Sequence, residues 1–217
     1  MRQKTVERLA KNHLLTHLPG YEVARGIIHA TPITDVLRGF AFESSAFDSD
    51  VAYVWAFAQP LYVPRDSLVF TFGRRLRRSL GLLRSTERWD LREERAEASL
   101  AALAKTLTRD GVPLVKRLES PELLVQNLQP KFGASATIFH LEAVAYSLAR
   151  LGRYREAEQK LGLLSDPRKT QRWPHVRDNA NALLEAIRIS PARAEELLNE
   201  WKVGTCAALH LSPDAAA

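Results

Sequence analysis

The chain has 217 residues, 46% of them hydrophobic and 26% charged, with a formal net charge of +6 and a single cysteine. That hydrophobic share supports a packed core and excludes wholesale disorder, and one cysteine, Cys206, excludes an internal disulfide. No apolar run approaches the about 18 residues of a membrane helix, and charges interrupt the first residues, so neither a span nor a signal peptide is expected; the expectation is a soluble, cytoplasmic protein without a membrane partner.

In chain order, Val6, Leu9, Ala10, His13, Leu14 and His17 share one face at helical spacing, and Pro19-Gly20 stops that helix. His13 and His17 are spaced as in a zinc-protease helix. Leu14 follows His13 where that motif needs a glutamate, so both are read as half-buried histidines against a sheet. Residues 21–30 alternate weakly and form a first strand, with Gly26 as a bulge or close approach. The stretch 36–72 then concentrates six of the eight Phe, Trp55, Tyr53 and Tyr62. Its period-two alternation predicts strands at 36–44, 51–59 and 68–72, with Ser44, Ser45 and 48–50 as a hairpin loop. In the central strand Tyr53, Trp55 and Phe57 face one side and Ala52, Val54, Ala56 and Ala58 the other. Both faces are apolar, so Trp55 and Phe57 are expected to be largely buried.

Residues 74–88 carry six arginines against one glutamate. On a helix, Arg74, Arg77, Arg78, Arg84 and Arg88 form a face of one sign, the candidate partner-binding residues of the chain. Arginine suits bidentate contact with carboxylate or phosphate, and internal pairing with Glu87 and Glu94 is the competing account. A long helix is predicted from Trp89 to a stop at Asp110-Gly111, on the stripe Leu100, Leu103, Ala104 and Leu107. Ser120 caps the next helix, with Pro121 at its first position, and residues 130–133 break it. Everything from residue 135 is read as helical, with further helices at 176–189 and 191–203 and a frayed tail at 212–217. Gly152, Tyr154 and Ala157 in the turn LGRYREA, with Ala145 upstream, give residues 136–165 a pattern that resembles one tetratricopeptide (TPR) repeat. Leu141 stands where that repeat has an aromatic, and no second copy follows about 34 residues on. The resemblance implies a helical hairpin packed on its neighbours.

Motifs for phosphate loops, dinucleotides and a nucleophile elbow are absent. Glu158/Lys160 and Glu200/Lys202 are Glu-x-Lys pairs on helices rather than on the strands a nuclease needs, and Cys206 with His210 makes only two ligands of a metal site. No catalytic residue, metal or cofactor is therefore expected.

The fold expected is α+β: an N-terminal helix and a small, mainly antiparallel four-stranded sheet over residues 1–75, then an all-helical part over 76–211, in one compact unit. The function expected is a non-enzymatic protein-interaction module, such as an adaptor, an accessory subunit or an immunity-type binder of a bacterial system. The alternatives are a nucleic-acid-associated protein using residues 74–88, or an enzyme whose site is dispersed over His29, Asp35, Arg38 and Glu43.

Overall fold

The computed structural model describes residues 3–48, 50–79, 85–128 and 138–211. Ser49, Arg84, the break at 130–133, the first two residues of the TPR-like stretch and the tail 212–217 lie outside them. The protein is α+β and folds as two compact units. Where described, one is built from residues 3–59 and 72–116, the other from 60–71 and 117–211. Among the described residues no helix is long and apolar enough to cross a membrane.

The first unit holds a six-stranded sheet rather than the four strands expected. Residues 21–30 are two strands, β1 (Tyr21–Ala24) and β2 (Ile27–Ala30), because Arg25 and Gly26 both take positive φ (54° and 78°) and close a two-residue hairpin. Gly26 is thus a turn residue, not a bulge. β3 (Val36–Ser44) and β4 (Val51–Pro60) follow the expected alternation. Residues 68–72 form no strand; the chain is irregular throughout 61–73, between β4 and Arg74. The free edge of β4 is shared by two short antiparallel strands, β5 (Arg74–Arg75) opposite Trp55 and Ala56, and β8 (Arg88–Asp90) opposite Val51, Ala52 and Tyr53. Between them β6 (Arg78–Ser79) and β7 (Ser85–Thr86) make a small hairpin of their own. The arginine segment is therefore extended where described. Its own alternation explains this: Leu76 and Trp89 turn into the core, while Arg75, Arg77 and Arg88 turn out.

The core of this unit lies on the small-residue side of β4. Val54 and Ala56 pack with Ile28, Phe40 and Trp89 beneath Ala10, Leu14 and Leu18 of the N-terminal helical run and Leu100, Leu103, Ala104 and Leu107 of a second helix. The N-terminal run begins as α1 (Gln3–Leu9) and continues through π and 3-10 turns to His17, with Val6, Ala10, Leu14 and Leu18 buried. His13 and His17 are both exposed rather than half-buried, because burial steps by four from Val6 to Leu18 and leaves the histidines off that stripe.

The second helix starts at Glu93, not at Trp89, as α2 (Glu93–Thr106). It does not stop at Asp110-Gly111, but passes through a π-helical turn (Leu107–Gly111) into α3 (Val112–Lys116). The wide turn accommodates Pro113, which cannot donate to the preceding turn. Gly111 is required by packing: a Cβ there would stand 2.6 Å from the Phe40 ring.

The second unit is helical: α4 (Pro121–Leu128), α5 (Ile138–Arg150), α6 (Tyr154–Leu164), α7 (Pro167–Thr170), α8 (Pro174–Ile189) and α9 (Pro191–Ala208). Ser120 accepts from the Leu123 amide and Ser190 from the Arg193 amide, the two expected N-caps. α5 ends at Gly152 (φ 71°), where the Gly152 amide donates to Ala149 and the Arg153 amide to Leu148, a Schellman closure that turns the chain into α6. Ala145, Ala157, Leu161 and Leu164 are buried in this hairpin. α9 runs through Gly204 to Ala208, past the expected end at Val203, because Thr205 and Cys206 are buried and hold that last turn in the core.

Phe57 is fully buried, but Trp55 is only half-buried. The large side chain filling the core is Trp89, which faces Ala52 across the ladder. Trp89→Ala is expected to cost about 3–5 kcal/mol in urea unfolding and Trp55→Ala about 1–2 kcal/mol; equal losses would show the two tryptophans to be equivalent in the core.

Candidate interaction surface

The second face of the sheet, turned away from that core, carries the most organised exposed cluster of the first unit. Alternation puts Tyr53 and Trp55 on it from β4 and Glu43 from β3, and the β4–β5 register brings Arg75 directly opposite Trp55. The Arg75 guanidinium lies 4.4 Å from the centroid of the Tyr53 ring and 5.0 Å from that of Trp55, both within cation–π range. Glu43 holds the arrangement. Its Oε2 accepts from the Trp55 indole N–H at 2.8 Å and from Arg75 Nη2 at 2.8 Å. Glu87 adds a longer ion pair to Arg75 (3.9 Å) and accepts from Arg77 Nε at 3.1 Å. The indole hydrogen bond above all, and then Arg75, hold the Glu43 carboxyl below the usual carboxylate range.

The other candidate arginines are distributed around this cluster rather than along one face. Arg88 is exposed opposite Tyr53 on the same face, Arg77 is exposed and paired with Glu87, and Arg74 is exposed but, opposite Ala56, lies on the other side of the sheet, beside Asp110. Arg78 turns to α2 and donates to Ser99 Oγ at 3.2 Å. Arg84 lies outside the described residues. Helical spacing places Arg75 off the Arg74–Arg78 face, whereas strand alternation places it with Arg77. Of the residues considered for a dispersed enzyme site, Glu43 belongs to this cluster. His29 is buried opposite Gly39, about four residues (~13 Å) along the same face from Glu43. Alternation puts Arg38 on the other face of the sheet from His29 and Glu43. Among the described residues no three His, Cys, Asp or Glu side chains stand together as a metal ion would require. Cys206 is buried, which raises its thiol pKa, and His210 is exposed.

The helical unit has a second, buried polar cluster. Glu142 on α5 has no solvent exposure and forms an ion pair with Arg65, whose side chain is 15% exposed. Burial pushes the Glu142 carboxyl above its ordinary range against the pull of Arg65 and of His175. One turn on, Tyr146 is fully buried and stacks on Trp201 (5.4 Å between centroids), and its hydroxyl has no hydrogen-bond partner among the described residues.

The chain matches no protein-family model, no curated protein and no solved structure.

Two outcomes follow from these clusters. Because the folded carboxyl of Glu43 is depressed, its contribution is present above the unfolded pKa and lost as pH falls through the folded value. Glu43→Gln should therefore lower stability at pH 7 and not at pH 3. The side chain is 48% exposed, so solvent screening limits the effect to about 1 kcal/mol. Glu142 has the opposite sign: its folded pKa is raised, and stability is lost as pH rises through it. Arg65→Ala removes the guanidinium paired with it and raises that pKa further. The destabilisation should then be small at pH 4 and about 3 kcal/mol or more at pH 8, read from paired denaturant curves.

Proposed function

We propose that this chain is a non-enzymatic protein-interaction module, an adaptor, accessory subunit or immunity-type binder, whose contact surface is the face centred on Arg75. The observation that carries the reading is the guanidinium stacked on Tyr53 and Trp55 and fixed by Glu43. Trp, Tyr and Arg are the residues that dominate binding energy in protein interfaces. Here all three are held in place before any partner arrives, which lowers the ordering cost of association. Arg77 and Arg88 beside the cluster, with a formal net charge of +6, favour a partner that presents carboxylates. The α5–α6 hairpin, TPR-like in its sequence pattern, is part of the same reading of an interaction protein, working in the cytoplasm.

A nucleic-acid partner is the second reading, because half-exposed aromatics on a sheet beside arginines are what RNA-binding sheets use for base stacking. The position of Arg75 weighs against it: the guanidinium covers both rings, and a base would have to displace it from Glu43.

Affinity capture from the native host, with and without nuclease, tests the proposal. The expected result is a protein partner that survives nuclease. Its binding should be lost in Arg75→Glu and in Trp55→Ala, with far-ultraviolet circular dichroism unchanged, and salt should slow its association while leaving dissociation nearly constant. Recovery only of nuclease-sensitive material, together with a tight gel shift abolished by Arg75→Glu, would overturn it in favour of nucleic acid.

A further inference from the structure

The helical unit is completed by a segment that does not come from its own helices. Residues 60–71 leave the end of β4, pack within the helical unit, and return before β5. Residues 61–71 form no strand or helix. It begins with a turn closed by the Val63 amide on Pro60 (3.4 Å), and Leu61, Tyr62 and Val63 are buried.

What holds the segment is specific to its side chains. The Tyr62 hydroxyl shares a 2.6 Å hydrogen bond with Ser147 Oγ of α5. Arg65 lies 5.5 Å from the centroid of the Phe139 ring, about two turns back along that helix, and pairs with Glu142, about one turn back. The backbone is read as well, by a single residue of α9: Thr205 Oγ1 accepts from the Arg65 amide and donates to the Val63 carbonyl, each at 3.4 Å. Helix α5 thus buries a carboxylate whose ion-pair partner arrives from the 60–71 segment. An uncompensated carboxylate in that position is costly, so it selects for a cation in whatever fills the site. A hydroxyl acceptor, a buried carboxylate and a backbone-contacting threonine on two helices thus hold the segment.

We propose that α5 and α9 form a recognition groove for a peptide segment carrying tyrosine followed three residues later by arginine, and that residues 61–65 fill it as an intramolecular ligand. A partner segment of the same Tyr-x-x-Arg chemistry competes for the groove with the chain's own copy. In the intact protein the tethered copy has a high effective concentration and wins. This inference is independent of the Arg75 face, and none of its variants touches that cluster.

The probe is a fluorescein-labelled synthetic peptide with the sequence of residues 59–67, added to the full-length protein and read by fluorescence anisotropy. The wild type should bind it weakly, and the Tyr62→Phe/Arg65→Ala variant, whose own segment is weakened, should bind it saturably and at least about tenfold more tightly. Replacing the peptide's arginine by alanine, or adding Glu142→Gln to the protein, should remove that gain. If the double variant does not fold alone, excess peptide should restore its helical circular dichroism, and the alanine peptide should not. Absence of both saturable binding and rescue overturns the proposal, as does binding indifferent to the peptide's arginine and to Glu142.

Discussion

Strand β4 sets the constraint on which the first unit depends. Its core-facing side is almost all alanine and valine, too small to fill the space beneath a helical layer. The missing volume is supplied from neighbouring strands, by Trp89 opposite Ala52 and by Phe40 on β3. Close packing tolerates little void, so β8 must pair with β4 in a register that brings Trp89 over the alanine. That register orients everything around it. It places Arg88 and Asp90 on the far face, leaves room on the same edge of β4 for β5, and so brings Arg75 opposite Trp55.

The same constraint explains why the larger aromatics of β4 are on the surface side. With the core occupied by Trp89, Tyr53 and Trp55 become a half-exposed platform, and a basic segment becomes its cover. Arg75 lies on both rings, and Glu43 fixes the arginine and the indole together. The cluster is ordered by its own contacts, which separates it from a chance patch of surface aromatics.

The two units are interleaved in sequence. β4 and β5 are neighbours in the sheet, yet the twelve residues 60–71 between them belong to the helical unit. There they supply Arg65 to Glu142 and Tyr62 to Ser147. The buried ion pair is thus a demand built into α5 and met by a segment distant in sequence.

Local signals in the sequence were read well where the structure is local. The spans of β3 and β4, the caps at Ser120 and Ser190, and the α+β class followed from period-two alternation and from turn and cap chemistry, which need only neighbouring residues. The Arg25-Gly26 hairpin is also local, yet the sequence there reads as one strand with Gly26 as a bulge or close approach. The two-residue turn was hidden by weak alternation on either side. Which face of β4 is the core could not be read from β4, since both faces are apolar; it was decided by Trp89, about thirty-five residues away. The arginine segment could be aligned on helical or strand spacing, and helical spacing assembled Arg74, Arg77 and Arg78 while missing Arg75. Only pairing with β4 made the segment extended and put Arg75 over Tyr53 and Trp55. Periodicity along the chain determines which residues share a side of an element, but whether that side meets the core or solvent depends on volumes and registers contributed by segments far apart in sequence.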